Sequence, residues 1–309
     1  MASVATLTLN PAIDISSEAE TVRPIQKTRI SGERFEPGGG GINVARALAE
    51  LGVSVEAIYL AGGGSGRALD HMLEQRGIRR TCIPIAGETR MSLQVFERSS
   101  GSEYRFVPEG PTVAESEWRA CLEAAKECGC DYLVASGSLP GGVPDDFYAR
   151  LGAVLARQGT RYVLDTSGEE LRGALAEGGI FLVKPSHGEL AELAGRRLDD
   201  IAEVREFALG MVERGEAENV AATMGDKGAL LATRQGAYFL PALPVETRSA
   251  VGAGDSFLAA MTYGFAIGRN AKEAFRLGVA AGAATAEGAV ADICRKADVE
   301  RLLKLVPEI

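Results

Sequence analysis

Short apolar runs that alternate with amphipathic helical stretches constrain this chain more than any other feature. Val4–Leu9, Val55–Ala61, Tyr132–Ser136, Tyr162–Asp165, Phe181–Val183 and Val220–Thr223 read as buried strands. Helical segments stand between them: Gly41–Leu51, with Ile42, Ala45, Leu48 and Ala49 on one stripe, then Gly66–Arg76, Pro144–Gln158, Gly168–Ala176 and His187–Leu193. A strand–helix–strand rhythm predicts an α/β fold, a mostly parallel central sheet with helices on both faces. Gly228–Arg234 and Ala237–Pro241 read as an edge hairpin, and the last third as helices over Asp255–Ile267, Lys272–Glu287 and Ala297–Leu305.

Two segments break the rhythm. Residues 12–34 are polar and extended, and residues 89–107 alternate as strand, turn and strand, with Ser99–Ser102 at the turn. Neither fits a βαβ layer, so both are assigned to a small accessory β-sheet, a lid or dimer surface inserted into a single domain spanning 1–309. A turn at 99–102 pairs residue 96 with 105. Residues 90 and 96 share parity, so Arg90 and Arg105 fall on one face, suited to a dianion that guanidinium groups bind bidentately. Met91, Leu93, Val95 and Phe106 fall on the other face, whose need for cover predicts a homodimer through these sheets.

Composition excludes several classes. With Lys+Arg 33 against Asp+Glu 42, the net charge of −9 argues against nucleic acid, whose phosphates need a basic face. No window approaches the ~18 apolar residues of a membrane span. The N-terminus has no basic segment ahead of an apolar one, which places the chain in the cytoplasm. Five cysteines, none in a C-x-x-C pair, read as reduced thiols, and two histidines leave little for a His-based metal site or a Ser–His triad. The dipeptide Gly-Lys never occurs, which rules out the G-x-x-x-x-G-K-[ST] phosphate loop, and GGGSG at 62–66 does not satisfy G-x-G-x-x-G.

Two glycine-rich segments carry chemistry. In Ala250–Phe257 (AVGAGDSF), small residues immediately precede a helix, so unpaired N–H groups and the helix dipole make an anion hole. A carboxylate beside it, Asp255, can accept a hydroxyl proton while the amides hold a transferring phosphoryl group. Asp255 is also a good residue for capping its own helix. In Glu36–Arg46 (EPGGGGINVAR), four glycines open a helix and let backbone approach a ligand, with Asn43 in its first turn.

Together these two segments resemble the paired signatures of the PfkB-type carbohydrate kinases, the ribokinase-like family. TLNPAID (Thr8–Asp14), GSLPGGV (Gly137–Val143), VKPxxxE (Val183–Glu189) and TMGxxG (Thr223–Gly228) are similar to that family in order and spacing, so the resemblance covers nearly the whole chain. TLTLNP points to its phosphosugar branch. PGGGGINVAR, FEPGGGG and ExYRFV look most like the 6-phosphofructokinases of the minor bacterial type. The 1-phosphofructokinases and tagatose-6-phosphate kinases, which usually have lysine where Gly40 stands, remain alternatives.

The resemblance implies transfer of the γ-phosphoryl group of MgATP to the C1 hydroxyl of fructose 6-phosphate. It makes Asp255 the base and Gly252, Ala253 and Gly254 the anion hole. Asp14, Gly39 and Asn43 would hold sugar hydroxyls, and Lys27, Arg90, Arg105 and Ser138 the phosphate already on the sugar. Lys184, Ser186, Glu189, Thr223, Gly225 and Gly228 would line the ATP side, and Gly282 a wall of the adenine pocket. Gly282 also suits tight helix packing. Glu189 would organise Mg²⁺ through water, and carbonyls of Ser249 and Val251 a monovalent cation such as K⁺. Ser186 stands where the family has asparagine, which weakens direct metal or phosphate organisation there. A sugar or nucleotide sensor on the same fold and, more remotely, a nicotinamide-dependent dehydrogenase are the competing readings.

Overall fold

The computed structural model describes residues 2–288 and 292–309. Nine strands form the main sheet in the order β13-β12-β11-β10-β9-β8-β1-β4-β5. From β5 (Arg79–Pro84) through β4 (Val55–Ala61), β1 (Val4–Thr8), β8 (Tyr132–Ser136), β9 (Arg161–Asp165), β10 (Ile180–Val183) and β11 (Ala217–Thr223) every pairing is parallel. The hairpin β12 (Ala229–Thr233) and β13 (Gly236–Leu240) adds the antiparallel edge. The expected fold class is the observed one.

Alternate residues of each strand feed two cores. Val4, Tyr132, Val134 and Val163 pack under α1 (Gly40–Glu50), α2 (Gly63–Gln75), α8 (Ala253–Ala266), α9 (Ala271–Glu287) and α10 (Lys296–Leu303). Ala5, Leu7, Leu133 and Leu164 pack under α3 (Glu115–Glu127), α4 (Phe147–Gln158), α5 (Gly168–Glu177), α6 (His187–Ala194) and α7 (Ile201–Glu213). Both faces are therefore covered, as parallel sheets require. The sequence rhythm does not bring out β5, α3 or α7. The outermost strand β5 is largely exposed, and α3 buries only Trp118, Cys121 and Ala125, so their apolar signals are thin. For α7 a signal exists: Asp200 caps the helix by accepting from the Glu203 N–H at 2.9 Å. The stretch 289–291, at the end of the small-residue pattern of α9, lies outside the described residues.

A second sheet runs β3-β2-β6-β7, from β2 (Ala12–Ala19), β3 (Ile30–Gly38), β6 (Arg90–Glu97) and β7 (Glu103–Phe106). It is mixed: β2 pairs β6 in parallel, and the outer pairs are antiparallel. Its residues extend four beyond the expected end at 34, to Gly38. The β6–β7 register differs from expectation by two residues, since Arg105 faces Gln94 rather than Phe96. A shift of two conserves the side-chain face, so Arg90 and Arg105 still share one. The other face presents a row formed by Phe106, Leu93, Ile15 and Phe35, with Phe35, Met91 and Phe106 each more than half exposed.

Strand order reverses between β1 and β8, the topological switch point where α/β folds bind ligands at the carboxyl ends of their strands. The four-glycine run crosses this point. A Cβ at Gly40 would lie 2.2 Å from Ser136 Oγ, one at Gly41 2.6 Å from the Leu7 carbonyl oxygen, and one at Gly38 1.9 Å from an Asp14 carboxylate oxygen. The run is a place of close approach rather than a loose turn. Gly41→Ala is expected to lower unfolding stability by ~1–3 kcal/mol, through overpacking against β1, and urea denaturation measures it.

Candidate active site

Asp255 stands in the first turn of α8, where Gly252 adopts φ 76, a left-handed conformation that turns the chain into the helix. Not all three small residues remain free donors, because the Ala253 N–H turns back to the Ala250 carbonyl at 3.3 Å. The N–H groups of Gly252, Gly254 and Asp255 have no partner among the described residues, so the cradle keeps three donors but skips Ala253 and takes in Asp255.

The Asp255 carboxylate is held from two sides. Asn43 Nδ2 donates to Asp255 Oδ2 at 2.9 Å. Arg46 fixes that amide: its guanidinium can only donate, and its Nη1 reaches Asn43 Oδ1 at 3.2 Å, so the NH₂ group must face Asp255. Arg46 is buried, and donates also to the Pro37 carbonyl (2.9 Å) and to Glu36 (2.7 Å). On the other side, Lys184 at the end of β10 pairs with Asp165 at the end of β9, at 3.0 Å. Burial works against the Lys184 ammonium, but the adjacent Asp165 carboxylate outweighs it and holds the pKa above its ordinary value. Burial pushes the Asp255 pKa up to about 6, with help from the Asp165 charge and against the Asn43 hydrogen bond and Lys184.

A cavity of about 300 Å³ opens in front of Asp255, between α8, the start of α1 and the accessory sheet. Asp14, Gly39, Asn43, Arg90, Arg105, Val251, Gly252 and Asp255 line it. Ser92 and Gln94, on the same face of β6 as Arg90, line it too and were not picked out from the sequence. Burial raises the Asp14 pKa against the pull of Arg46, Arg90 and Arg105 and a hydrogen bond from Ser92. Arg90 spends both terminal nitrogens on backbone, Nη1 on the Pro108 carbonyl (2.9 Å) and Nη2 on that of Asn10 (2.8 Å). It therefore ties β6 to the loop after β1.

Other expected residues fall elsewhere. Lys27 is exposed on the β2–β3 connection and does not line the cavity. Ser138 does not line it either; its hydroxyl accepts from Asn10 Nδ2 at 3.3 Å, on a loop pinned where Tyr148 and Thr166 hydroxyls donate to the Gly137 carbonyl. Ser186 and Glu189 form a reciprocal cap of α6, with Ser186 N donating to Glu189 Oε2 at 2.7 Å and Glu189 N to Ser186 Oγ at 3.3 Å. Ser186 bridges to Thr223 across the ends of β10 and β11. Gly228 is required by packing, since a Cβ there would lie 2.2 Å from the Leu240 carbonyl, whereas Gly225 (φ 59) faces open space. Gly282 lies against Ala253 O and Phe257, contacts of the α8–α9 packing. Ser249 is buried, and its hydroxyl accepts from Val251 N at 3.2 Å. His187 is structural, bonded to the Leu198 carbonyl at 2.7 Å.

Sequence reasoning missed Asp165 and Arg46. The signal for Asp165 was its place at the carboxyl end of a parallel strand. Arg46 had none beyond lying three residues after Asn43, one helical turn along α1. The remote dehydrogenase reading fails at α2, whose N-terminus is already filled: Glu88 accepts from the Ser65 N–H at 2.9 Å and from its hydroxyl at 3.0 Å. A Cβ at Gly63 would meet that carboxylate at 1.8 Å, so a dinucleotide phosphate finds the place occupied.

A carboxylate beside open helix-end donors, facing a cavity with two arginines, defines a phosphotransferase with an alcohol group as acceptor. The chain belongs to the pfkB family of carbohydrate kinases, whose family model matches residues 5–297. It is 40% identical over 307 residues to an ATP-dependent 6-phosphofructokinase isozyme 2 of Mycobacterium tuberculosis, covering 99% of this chain and 90% of that one. Phosphofructokinase-2 from Escherichia coli, solved in complex with fructose-6-phosphate, superposes with TM-score 0.94 at 38% identity over 99% of both chains. The same enzyme in complex with potassium gives TM-score 0.95 at 38% identity, with 99% of both chains covered.

Asp165→Asn removes the like charge that acts most strongly on Asp255 and frees Lys184 to act on it. The Asp255 carboxyl, pushed up to about 6 by burial and the Asp165 charge, is then expected to titrate lower than in the wild type, as read by carbon NMR of the labelled side chain.

Proposed function

We propose that this chain is an ATP-dependent 6-phosphofructokinase that transfers the γ-phosphoryl group of ATP to the C1 hydroxyl of fructose 6-phosphate, giving fructose 1,6-bisphosphate. The observation that carries this reading is Asp255, half-buried beside free N–H donors and opening on a cavity that Arg105 lines from the facing sheet. The relatives' activities and the glycine in place of lysine at residue 40 favour it over the 1-phosphofructokinase and tagatose-6-phosphate kinase alternatives.

In this mechanism Asp255 takes the C1 hydroxyl proton as the oxygen attacks phosphorus in line. A base with a pKa of about 6 is ionised at neutral pH yet basic enough to accept that proton. The open donors of Gly252, Gly254 and Asp255, with the α8 dipole, stabilise charge on the transferring group. Ala253, whose N–H is engaged, contributes backbone shape. Asp14, Gly39 and Asn43 hold sugar hydroxyls, and Arg105 takes the sugar phosphate with Arg90 behind it. Ser138 and Lys27 belong to the same phosphate site only if the lid or a second subunit moves toward it, since Lys27 stands clear of the cavity.

Lys184, Thr223, Gly225 and Gly228 sit along the ends of β10 and β11 and take the ATP phosphates, and Gly282 borders the adenine. The cap on α6 uses Glu189 Oε2, which leaves Oε1 for a water bound to Mg²⁺. Mg²⁺ carried by ATP supplies neutralisation of phosphate charge. Carbonyls of Ser249 and Val251 suit a K⁺ ion. The accessory sheet acts as a lid that excludes water. Its exposed row of Phe35, Met91 and Phe106 supports a homodimer through this face.

Asp255→Asn is expected to lower kcat by ~10²–10⁴ with the melting profile retained. Below pH 6, kcat/KM of the wild type should fall tenfold per unit as the base is protonated. Arg105→Ala should raise KM for fructose 6-phosphate at least ~10-fold with kcat little changed, as loss of a charge-assisted contact predicts. An ADP-release screen over phosphosugars tests the substrate. Preference for fructose 1-phosphate or tagatose 6-phosphate would overturn the assignment, and ligand-induced thermal shift without ADP release would favour a sensor.

A further inference from the structure

At the opposite end of the sheet from the cavity, Cys128 and Cys130 flank Gly129 in the turn between α3 and β8. Gly129 has φ 57, a left-handed conformation that folds its two neighbours toward one another, and the two sulfurs lie 2.9 Å apart. All five cysteines are free thiols. Cys128, the helix C-cap, is half-buried, whereas Cys130 is buried, its carbonyl accepting from Thr160 Oγ1 at 2.9 Å. The arrangement is an accessible thiol with a second thiol directly behind it. Among the described residues no third His, Cys, Asp or Glu joins them in a metal-binding group.

We propose that Cys128 and Cys130 form an oxidisable dithiol that reacts with low-molecular-weight disulfides. Cys128 is the attacking group and Cys130 the resolving one. The Cys128 thiolate attacks one sulfur of glutathione disulfide, the S–S bond breaks, and glutathione thiolate leaves, so Cys128 carries a mixed disulfide. Cys130 then gives up its proton, its sulfur attacks Cys128 Sγ, and the second glutathione leaves. Two electrons pass from the dithiol to glutathione disulfide, and two glutathione thiols are released. The hydrogen bond from Cys130 favours the Cys128 thiolate and brings that thiol down to about 7, against burial and the Glu56 charge. The same bond and burial push Cys130 up, which keeps its proton in place until the mixed disulfide forms. A ring closed over one intervening residue is strained, so the product is readily reduced again.

The test uses the full chain with Cys82→Ser, because Cys82 is the exposed thiol. After glutathione disulfide, the intact mass is expected to fall by about 2 Da, with Cys128 and Cys130 protected from alkylation until dithiothreitol is added. With Cys130→Ser added, Cys128 should keep a glutathione adduct of about 305 Da. With Cys128→Ser instead, neither change should appear. Persistence of the adduct when both cysteines are present, continued alkylation of both, or a disulfide linking two chains overturns the proposal. The peptide map of the parent protein decides the matter even if the Cys130→Ser protein fails to fold.

Discussion

Desolvation of one half-buried carboxylate, Asp255, is the constraint on which the rest of the site depends. A carboxylate removed from water stays ionised only if other groups supply what water did. Here Asn43 supplies a hydrogen bond and Lys184 a positive charge, while Asp165 keeps Lys184 in place and adds repulsion of its own. Lys184 and Asp165 form a largely buried pair, and removal of Lys184 would leave the Asp165 and Asp255 carboxylates facing one another without their shared cation. Arg46 extends the arrangement outward, since it orients Asn43 and is itself neutralised by Glu36. The acid strength of one side chain is thus set by residues from α1, α8, β9 and β10, elements brought together only by the finished fold.

Sheet topology explains why these elements meet. The reversal of strand order between β1 and β8 leaves a crevice at their carboxyl ends, and the start of α1 lies across it. Backbone sits so close to Leu7, Thr8 and Ser136 that methyl groups at residues 40 and 41 would collide with them. The accessory sheet leaves from the same place, because β2 follows β1 after only three residues. Arg90 fastens its β6 strand to that junction through the Asn10 carbonyl, and to the segment after β7 through that of Pro108. The wall that carries Arg105 is therefore anchored to the crevice it faces.

Much of this architecture was legible in the sequence, because buried parallel strands and their helices leave strong periodic signals. Tyr132–Ser136 and Val55–Ala61 match their strands in full. Edge strand β5 and the polar α3 bury too little to leave such a pattern. Asp255, Asn43, Asp14 and the two arginines were recognisable because local motifs carry them, and the structure brings them to one cavity. Local motifs say nothing of which N–H groups are already used, so the engagement of Ala253 was invisible. The same holds for Ser186 and Glu189, whose mutual capping depends on where α6 begins. Lys27 shows a further limit: no rule of spacing tells on which side of a long, exposed connection a side chain comes to rest.

Among the glycine-capped helices, α2 and α8 differ in how their positive ends are satisfied. At α2 the chain supplies its own anion, the Glu88 carboxylate, seated where a glycine at 63 leaves room for it. At α8 the corresponding donors are left open. An internal carboxylate of this kind is a permanent tenant: it cannot diffuse away, and a phosphate arriving from solution must displace a group tethered to the same molecule. Two glycine-capped helix ends are thereby made unequal in their appetite for negative charge: one carries its counter-charge within the chain, and the other keeps its donors for an anion from outside.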